Sequence, residues 1–455
     1  MTNSNDTIVA IASPIGTGAV STIRISGPES WKITNNVLNR KINNPIPRRV
    51  YKRLIIDDKG PVDDVLIVFY KSPKSYTGED MVEVFCHGGY IVTNMVLKVF
   101  LNSGARQAEP GEFTKRAFLN GKIDLSEAEA IKQLIEARAE NEARAFIKNI
   151  LGSIRNYVEH VRKELLSVIA EIEVEIDYPD DFVLDRNKVE RKLEEIKRKL
   201  EEILQKSELS VRASQGIRLA IVGRPNVGKS TLFNKLLNED RAIVTSIPGT
   251  TRDVISEDIN IMGQYYKLLD TAGIRHSKDQ IEKIGVERTK KEINTADIVL
   301  FVIDPLQYND EDIELYNILK EKPHIIIINK IDILENEKNY YSRFLKEFKG
   351  EKIVMISAKT GEGLKNLENA INDVAQIYIK TLHNNIVLTT HRQKELLEST
   401  YFHIKEALQS LHNGLPTDLI AIDIRKSIEK LDLITGRNFT EDLLDTIFSN
   451  FCVGK

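Results

Sequence analysis

An α/β domain inserted into an all-α domain, with an α+β domain ahead of both, is the fold class that this sequence predicts. Three observations carry it. Short β-rich runs broken by Gly and Pro turns fill residues 1–120. Apolar residues at three- and four-residue spacing dominate 121–212 and return over 380–455. Between them, over 213–379, apolar runs alternate with helical segments, the pattern of a mostly parallel sheet covered by helices. These spans are the four expected segments of the chain. With 455 residues, 42% hydrophobic and 29% charged positions, collagen-like, disordered and membrane classes are excluded.

In the first segment the β-rich runs are Thr7–Ser13, Ser21–Ser26, Val62–Phe69 and Met81–Cys86, with turns at Ser13-Pro14 and His87-Gly88-Gly89. In the second, Ser126 with Glu129 reads as a capping box, and no Pro or Gly interrupts the stretch to Ile150. Helical pattern follows over Ile154–Ile176 and Asn187–Ser207, where Leu193, Ile196, Leu200 and Ile203 form a narrow apolar stripe and the interleaved charges a solvated face. The third segment has apolar runs at Ile217–Val222, Tyr265–Leu269, Ile298–Ile303, His324–Ile328 and Ile353–Ile356. Long helices resume over His391–Gln409 and Leu415–Phe448.

Lys+Arg number 64 against 67 Asp+Glu, a net charge of −3, so a nucleic-acid partner has to be met by a local patch or a second protein. Two cysteines, Cys86 and Cys452, point to a reducing compartment, and a cytoplasmic location is expected. The apolar run Ile8–Ala12 is too short for a signal core, and no window reaches the roughly 18 apolar residues of a spanning helix, so no membrane association is expected.

Gly223-Arg224-Pro225-Asn226-Val227-Gly228-Lys229-Ser230 fits G-x-x-x-x-G-K-S/T between a strand-like run and a helix beginning near Thr231. Its backbone N–H groups can close around phosphates, Lys229 can reach the β/γ-phosphates, and the Ser230 hydroxyl can ligate Mg²⁺. Asp270-Thr271-Ala272-Gly273 follows an apolar run, where a carboxylate can hold Mg²⁺ through water. Asn329-Lys330-Ile331-Asp332 closes another strand, and the Asp332 carboxylate can accept from the two donors of guanine. Ser357-Ala358-Lys359 can support the base from its other side. Four motifs in this order describe a small GTPase. Thr251, in Pro248-Gly249-Thr250-Thr251-Arg252-Asp253, is placed to complete Mg²⁺ coordination, or else belongs to a polar mobile loop. Ile274 stands where Ras-type GTPases carry a water-orienting Gln; Glu282 can serve through water, or is a solvated helix position.

Asn226, the Pro248–Asp253 segment, Ile274, Leu119-Asn120-Gly121-Lys122-Ile123-Asp124-Leu125 and the final Phe451-Cys452-Val453-Gly454-Lys455 together carry a resemblance over essentially the whole chain. The sequence resembles the MnmE (TrmE) family of tRNA-modification GTPases. That resemblance implies an N-terminal domain that binds tetrahydrofolate and forms the homodimer, and a GTPase activated by K⁺-dependent G-domain dimerisation. It assigns K⁺ to Asn226, Thr245, Ile247 and Thr250, and extends the nucleotide site to Ser246, Pro248 and Gly249. Catalytic roles fall to Lys229, to Glu282 as water-orienting group, and to Cys452, either a nucleophile or a half-buried structural thiol. Arg24, Glu83 and Lys122 match folate-contacting positions, and Lys455 is expected to reach the same site.

By the same resemblance an FAD-containing MnmG-type partner acts with this chain on tRNA. The pair adds an aminomethyl or carboxymethylaminomethyl group to carbon 5 of the wobble uridine, from a folate one-carbon unit. The alternative is a GTPase switch in ribosome assembly, against which stand the Arg24, Lys122 and terminal-signature matches.

Overall fold

The computed structural model describes residues 6–239, 256–269, 293–334, 337–382, 388 and 390–455. The chain packs as two units, Met1–Lys132 with Ile428–Lys455 and Gln133–Ser427. Residues 428–455, the end of the second helical segment, pack within the first of these units.

The first unit is built on strands β1 (Ile8–Ile11), β2 (Val20–Ser26), β3 (Val50–Asp57), β4 (Gly60–Tyr70), β5 (Met81–His87) and β6 (Arg106–Gln107). Their order is β3-β4-β5-β2-β1-β6, antiparallel except for the β1–β6 pair. Because side chains alternate across a strand, Ile23 and Ile25 of β2 and Val82 and Val84 of β5 point into one core with Phe69, Val96 and Phe100. Arg24 and Glu83 lie between them and so share the opposite face. A smaller apolar group of Ile8, Ala10, Ala108 and Phe113, with Tyr76 against it, backs that second face. Strand β3 was not legible in sequence: Lys52 and Arg53 interrupt its apolar run, as suits an edge strand that must resist further pairing.

Two helical expectations are corrected here. The capping box of helix Leu125–Glu136 is Asp124 with Glu127: Glu127 N donates to Asp124 Oδ1 at 2.7 Å, and Asp124 N donates to Glu127 Oε2 at 2.9 Å. Ser126 Oγ donates to the same Asp124 oxygen and is not itself the cap. The run Leu415–Phe448 is two helices, Thr417–Thr435 and Glu441–Phe448; the second is capped by Thr440, whose hydroxyl accepts from Leu443 N.

The second unit holds β7 (Ile217–Val222), β8 (Ser256–Ile261), β9 (Gln264–Leu269), β10 (Ile298–Ile303), β11 (His324–Ile328) and β12 (Ile353–Met355). Their order is β12-β11-β10-β7-β9-β8, and only β8 among them is antiparallel. Every residue of β10 and β11 is buried, because helices cover both faces. Ile298, Leu300 and Val302 face one core with Leu367 and Ile371, while Val299, Phe301 and Ile303 face another with Leu319 and Phe344. Helix Arg186–Gln215 buries Leu193, Ile196 and Leu200 as the stripe predicted and leads through Gly216 into β7.

The pattern from Asp124 to Ile150 is likewise two helices, Leu125–Glu136 and Glu140–Ile150, although no Pro or Gly separates them. Arg138 accounts for the break. Its guanidinium binds Asp258 and the Tyr265 hydroxyl on β8 and β9, its carbonyl accepts from Asn260 Nδ2 at 3.1 Å, and its N–H donates to Glu142 Oε2 at 3.0 Å. Tertiary bonds thus take the backbone groups that a continuous helix would pair within itself. The architecture is an α/β P-loop domain inserted in a helical domain, with an α+β domain at the N-terminus.

Candidate functional site

Parallel strands deliver loops to one edge of a sheet, and here those loops carry the predicted motifs. After β7 the chain turns through 223–228 and enters helix Lys229–Glu239, which places Ser230 and Thr231, both exposed, in its first turn. Lys229 Nζ spans the loop, donating to the carbonyls of Gly223 at 2.8 Å and Arg224 at 2.6 Å. Asn226 is exposed at φ 65°, while Val227 is buried. Arg224 turns away and binds Glu311 and Asp312, at 2.7 and 3.2 Å.

Asn329 is the tie between the phosphate loop and the base loops. It is 2% exposed; its Nδ2 donates to Val227 O at 2.8 Å, and its Oδ1 accepts from Ala358 N at 2.9 Å. A Cβ at position 228 would lie 2.2 Å from Asn329 Nδ2, so the close approach itself requires Gly228. Lys330 sits at φ 63° with its ammonium on Asp304 at 2.7 Å, a partner that sequence reading missed because Asp304 belongs to no motif. Ser357 Oγ donates to Asp332 Oδ1 at 2.7 Å, which orients an otherwise exposed carboxylate. Ile331 is buried and Lys359 exposed. Lys229, Asn329, Lys330, Asp332, Ser357 and Ala358 are therefore brought to one edge of the sheet. Thr245, Ser246, Ile247, Pro248, Gly249, Thr250, Thr251, Asp270, Thr271, Ala272, Gly273 and Glu282 lie outside the described residues, as do Arg252 and Ile274.

A second constellation stands in the first unit. Arg24 and Glu83 are direct cross-strand partners on β2 and β5. Arg24 Nε and one terminal nitrogen donate to Glu83 Oε1 at 3.1 and 2.8 Å, and the Tyr70 hydroxyl donates to Glu83 Oε2 at 3.0 Å. The guanidinium carbon lies 5.0 Å from the Tyr76 ring centre and 5.8 Å from that of Phe113. The terminal signature closes against this pair: Arg24 donates to Gly454 O at 3.4 Å, Gly111 N to Cys452 O at 3.3 Å, and Phe113 N to Lys455 O at 3.1 Å. A Cβ on Gly454, at φ 94°, would lie 2.1 Å from Ile11 O, which explains the glycine of the signature. Burial first, then the field of Arg24, pull the Lys455 ammonium below the usual lysine range.

Cys452 is exposed rather than half-buried, so the structural reading of that thiol is corrected. Lys122 is exposed too, and its ammonium rests on Pro73 O at 3.0 Å rather than on the Arg24 pair; the loop that carries Tyr76 links the two. Tyr70, Tyr76 and Phe113 were missed, since single aromatics on separate elements leave no spacing signal.

The MnmE helical domain model matches residues 125–452 and that of the TrmE N-terminus residues 7–122. Curated tRNA modification GTPases MnmE from three bacteria are similar over 99% of this chain. Those of Thermotoga petrophila, Fervidobacterium nodosum and Desulforamulus reducens are 50%, 45% and 41% identical, with 100%, 98% and 100% of their own lengths covered. The solved G domain of the T. maritima iron transporter FeoB is 30% identical over 35% of this chain and 99% of its own, with a TM-score of 0.26. No helix among the described residues is long and apolar enough to cross a membrane. With both family models and full-length relatives in agreement, the chain belongs to the MnmE (TrmE) family of tRNA modification GTPases.

Proposed function

We propose that this chain hydrolyses GTP to drive a step in tRNA modification. Acting as a homodimer with an FAD-containing MnmG-type partner, it adds an aminomethyl or carboxymethylaminomethyl group to carbon 5 of the wobble uridine, from a tetrahydrofolate one-carbon unit. The observation that carries this reading is the return of Cys452–Lys455 to the face holding Arg24 and Glu83, in a unit that does not contain the nucleotide site. Nucleotide chemistry and carbon chemistry thus have separate seats, as expected if hydrolysis supplies a conformational step.

Chain groups suit both ligands. Asp332 accepts from guanine while Ser357 holds its other side, and Lys229 exchanges two loop carbonyls for phosphate oxygens. Ser230 with Thr251 would take Mg²⁺, and Asn226, Thr245, Ile247 and Thr250 would take K⁺; bound there, the cations neutralise charge developing between the β- and γ-phosphates. Glu282 would orient the attacking water. Arg24 and the half-buried Tyr76 offer a cation and a ring to a pterin, with fully buried Phe113 backing the guanidinium, and Glu83 keeps acceptor capacity beyond its bonds to Arg24 and Tyr70. Exposed Cys452 would offer its thiol to a carbon centre, with Lys455 beside it.

Nucleoside analysis of tRNA from cells lacking the protein tests the whole: loss of the wobble-uridine group is expected, and an unchanged uridine overturns the tRNA assignment. K⁺ dependence is tested separately. Hydrolysis is expected to be much faster in KCl than in NaCl at equal ionic strength, and equal rates remove the K⁺ ligands named above.

A further inference from the structure

The loop between β4 and β5 gathers cations that have no carboxylate. Arg48 donates to Lys74 O at 3.2 Å, and Lys122 donates to Pro73 O at 3.0 Å, so two basic side chains from distant parts of the sequence converge on the dipeptide Pro73-Lys74. Lys74 adds its own ammonium. All three residues are exposed, and among the described residues none of the three forms an ion pair. The carboxylates nearby are already committed: Glu79 to Arg116 and Ser26, Asp80 to Lys71, and Glu83 to Arg24 and Tyr70. Three uncompensated cations on one short segment repel one another, a cost that an anionic ligand relieves.

The rim adjoins the Arg24–Glu83 pair. The loop bearing Pro73 and Lys74 continues to Tyr76, whose ring faces Arg24, and the fields of both Arg24 and Arg48 act on the Tyr70 hydroxyl. The rim also gives a place to Lys122, which reaches this loop from outside, as Arg48 does, beside Lys74.

We propose that Arg48, Lys74 and Lys122 bind the chain of carboxylates that trails from a polyglutamylated folate, so that this protein takes its one-carbon donor preferentially in the oligo-γ-glutamate form. The inference rests on the folate reading given above. A folate whose ring system lies against Arg24 and Tyr76 would leave its glutamate end to the exposed rim, where each added γ-glutamyl residue brings one more carboxylate. Exposed pairs are individually weak, so the preference comes from several acting together and is erased by salt. A tRNA phosphate contact is the rival occupant. It is disfavoured because the cations crowd around one dipeptide rather than forming a stripe, and because net charge is −3.

Calorimetric titration of the full-length protein with mono- and pentaglutamyl tetrahydrofolate tests this. The pentaglutamate is expected to bind about tenfold tighter in 50 mM salt and less than threefold tighter in 500 mM, following screening of surface charge. Lys74→Gln, which removes a side chain without a bond in the loop, and Arg48→Gln are expected to reduce that ratio and to change monoglutamate affinity less than twofold. Arg48→Lys should restore most of it. Equal binding of the two ligands overturns the inference and leaves the folate reading standing; failure of both ligands to bind overturns both. Unchanged folate discrimination in the variants, with weakened tRNA binding, reassigns the rim to RNA phosphate.

Discussion

The two constellations are built by opposite geometries. In the second unit, loops leave the ends of parallel strands, so each contributes a contiguous run such as 223–230, 329–332 or 357–359. In the first, the paired charges stand in the middle of antiparallel strands, one residue per strand, because alternation turns every neighbour to the other face. Arg24 and Glu83 meet across 59 positions, and Gly454 joins Arg24 across 430. A parallel sheet writes its site as motifs; an antiparallel sheet writes it as isolated letters.

If the two seats are independent, the largest expected effect is the cleanest. Arg24→Ala should abolish binding of a reduced folate and leave GTP affinity unchanged, since it removes the cation and leaves Glu83 Oε1 without its two donors, with Tyr70 alone still bonded to the carboxylate. Undiminished folate binding by fluorescence titration would move the pocket elsewhere, and a parallel loss of GTP affinity would break the comparison.

Asn329→Ala orphans Val227 O and Ala358 N together, so GTP affinity and the stability of the α/β core should fall by about 2–5 kcal/mol combined. Urea unfolding with and without nucleotide checks it. A variant as stable as the parent would mean that the phosphate and base loops are not held together by this amide.

Glu142 sharpens the comparison through pH. Its side chain is 2% exposed, Oε1 lacks a hydrogen-bond partner, and burial pushes its carboxyl from 4.5 to about 7. Arg138 opposes that rise and Asp258 adds to it, with Tyr265 and Lys267 in the same charged group. The folded state then binds more protons than the unfolded state between pH 4.5 and 7, so this group's contribution to stability falls as pH rises through that window, by about 3 kcal/mol at most. Glu142→Gln should flatten that slope in thermal melts of the second unit without touching folate affinity. An unaltered slope would place the titrating group elsewhere.

The smallest effect concerns base choice. Asp332→Asn should weaken GTP binding by about 2 kcal/mol and improve binding of a xanthine nucleotide, because a charge-assisted double acceptor is replaced by a mixed donor and acceptor. Equal GTP affinity by calorimetry would sink the guanine assignment.

Legibility followed the same division. Strands β7 and β9 to β12 and the Leu193 stripe could be read because burial on both faces or a helical period leaves a dense pattern. Strand β8 could not, since four of the six residues of Ser256-Glu257-Asp258-Ile259-Asn260-Ile261 are polar and it gains its identity only by pairing with β9. The break at Arg138 and the Asp124 cap were decided by side-chain bonds that compete with local propensity. The Arg24 group became readable only through the family resemblance, and its aromatic flank not even then.

One packing detail sets a limit on modularity. Ala145 of helix Glu140–Ile150 and Ala213 at the end of helix Arg186–Gln215 are fully buried in the same core as Ile217, Ile259 and Tyr266. Host helices thus supply part of the hydrophobic interior of the guest domain, and Arg138 fastens its outermost hairpin. A fragment cut at the ends of the guest would carry a raw apolar scar where those alanines sat. A larger side chain at Ala145, far from every nucleotide motif, would have to be accommodated by the volume of a core that belongs, by sequence, to another domain.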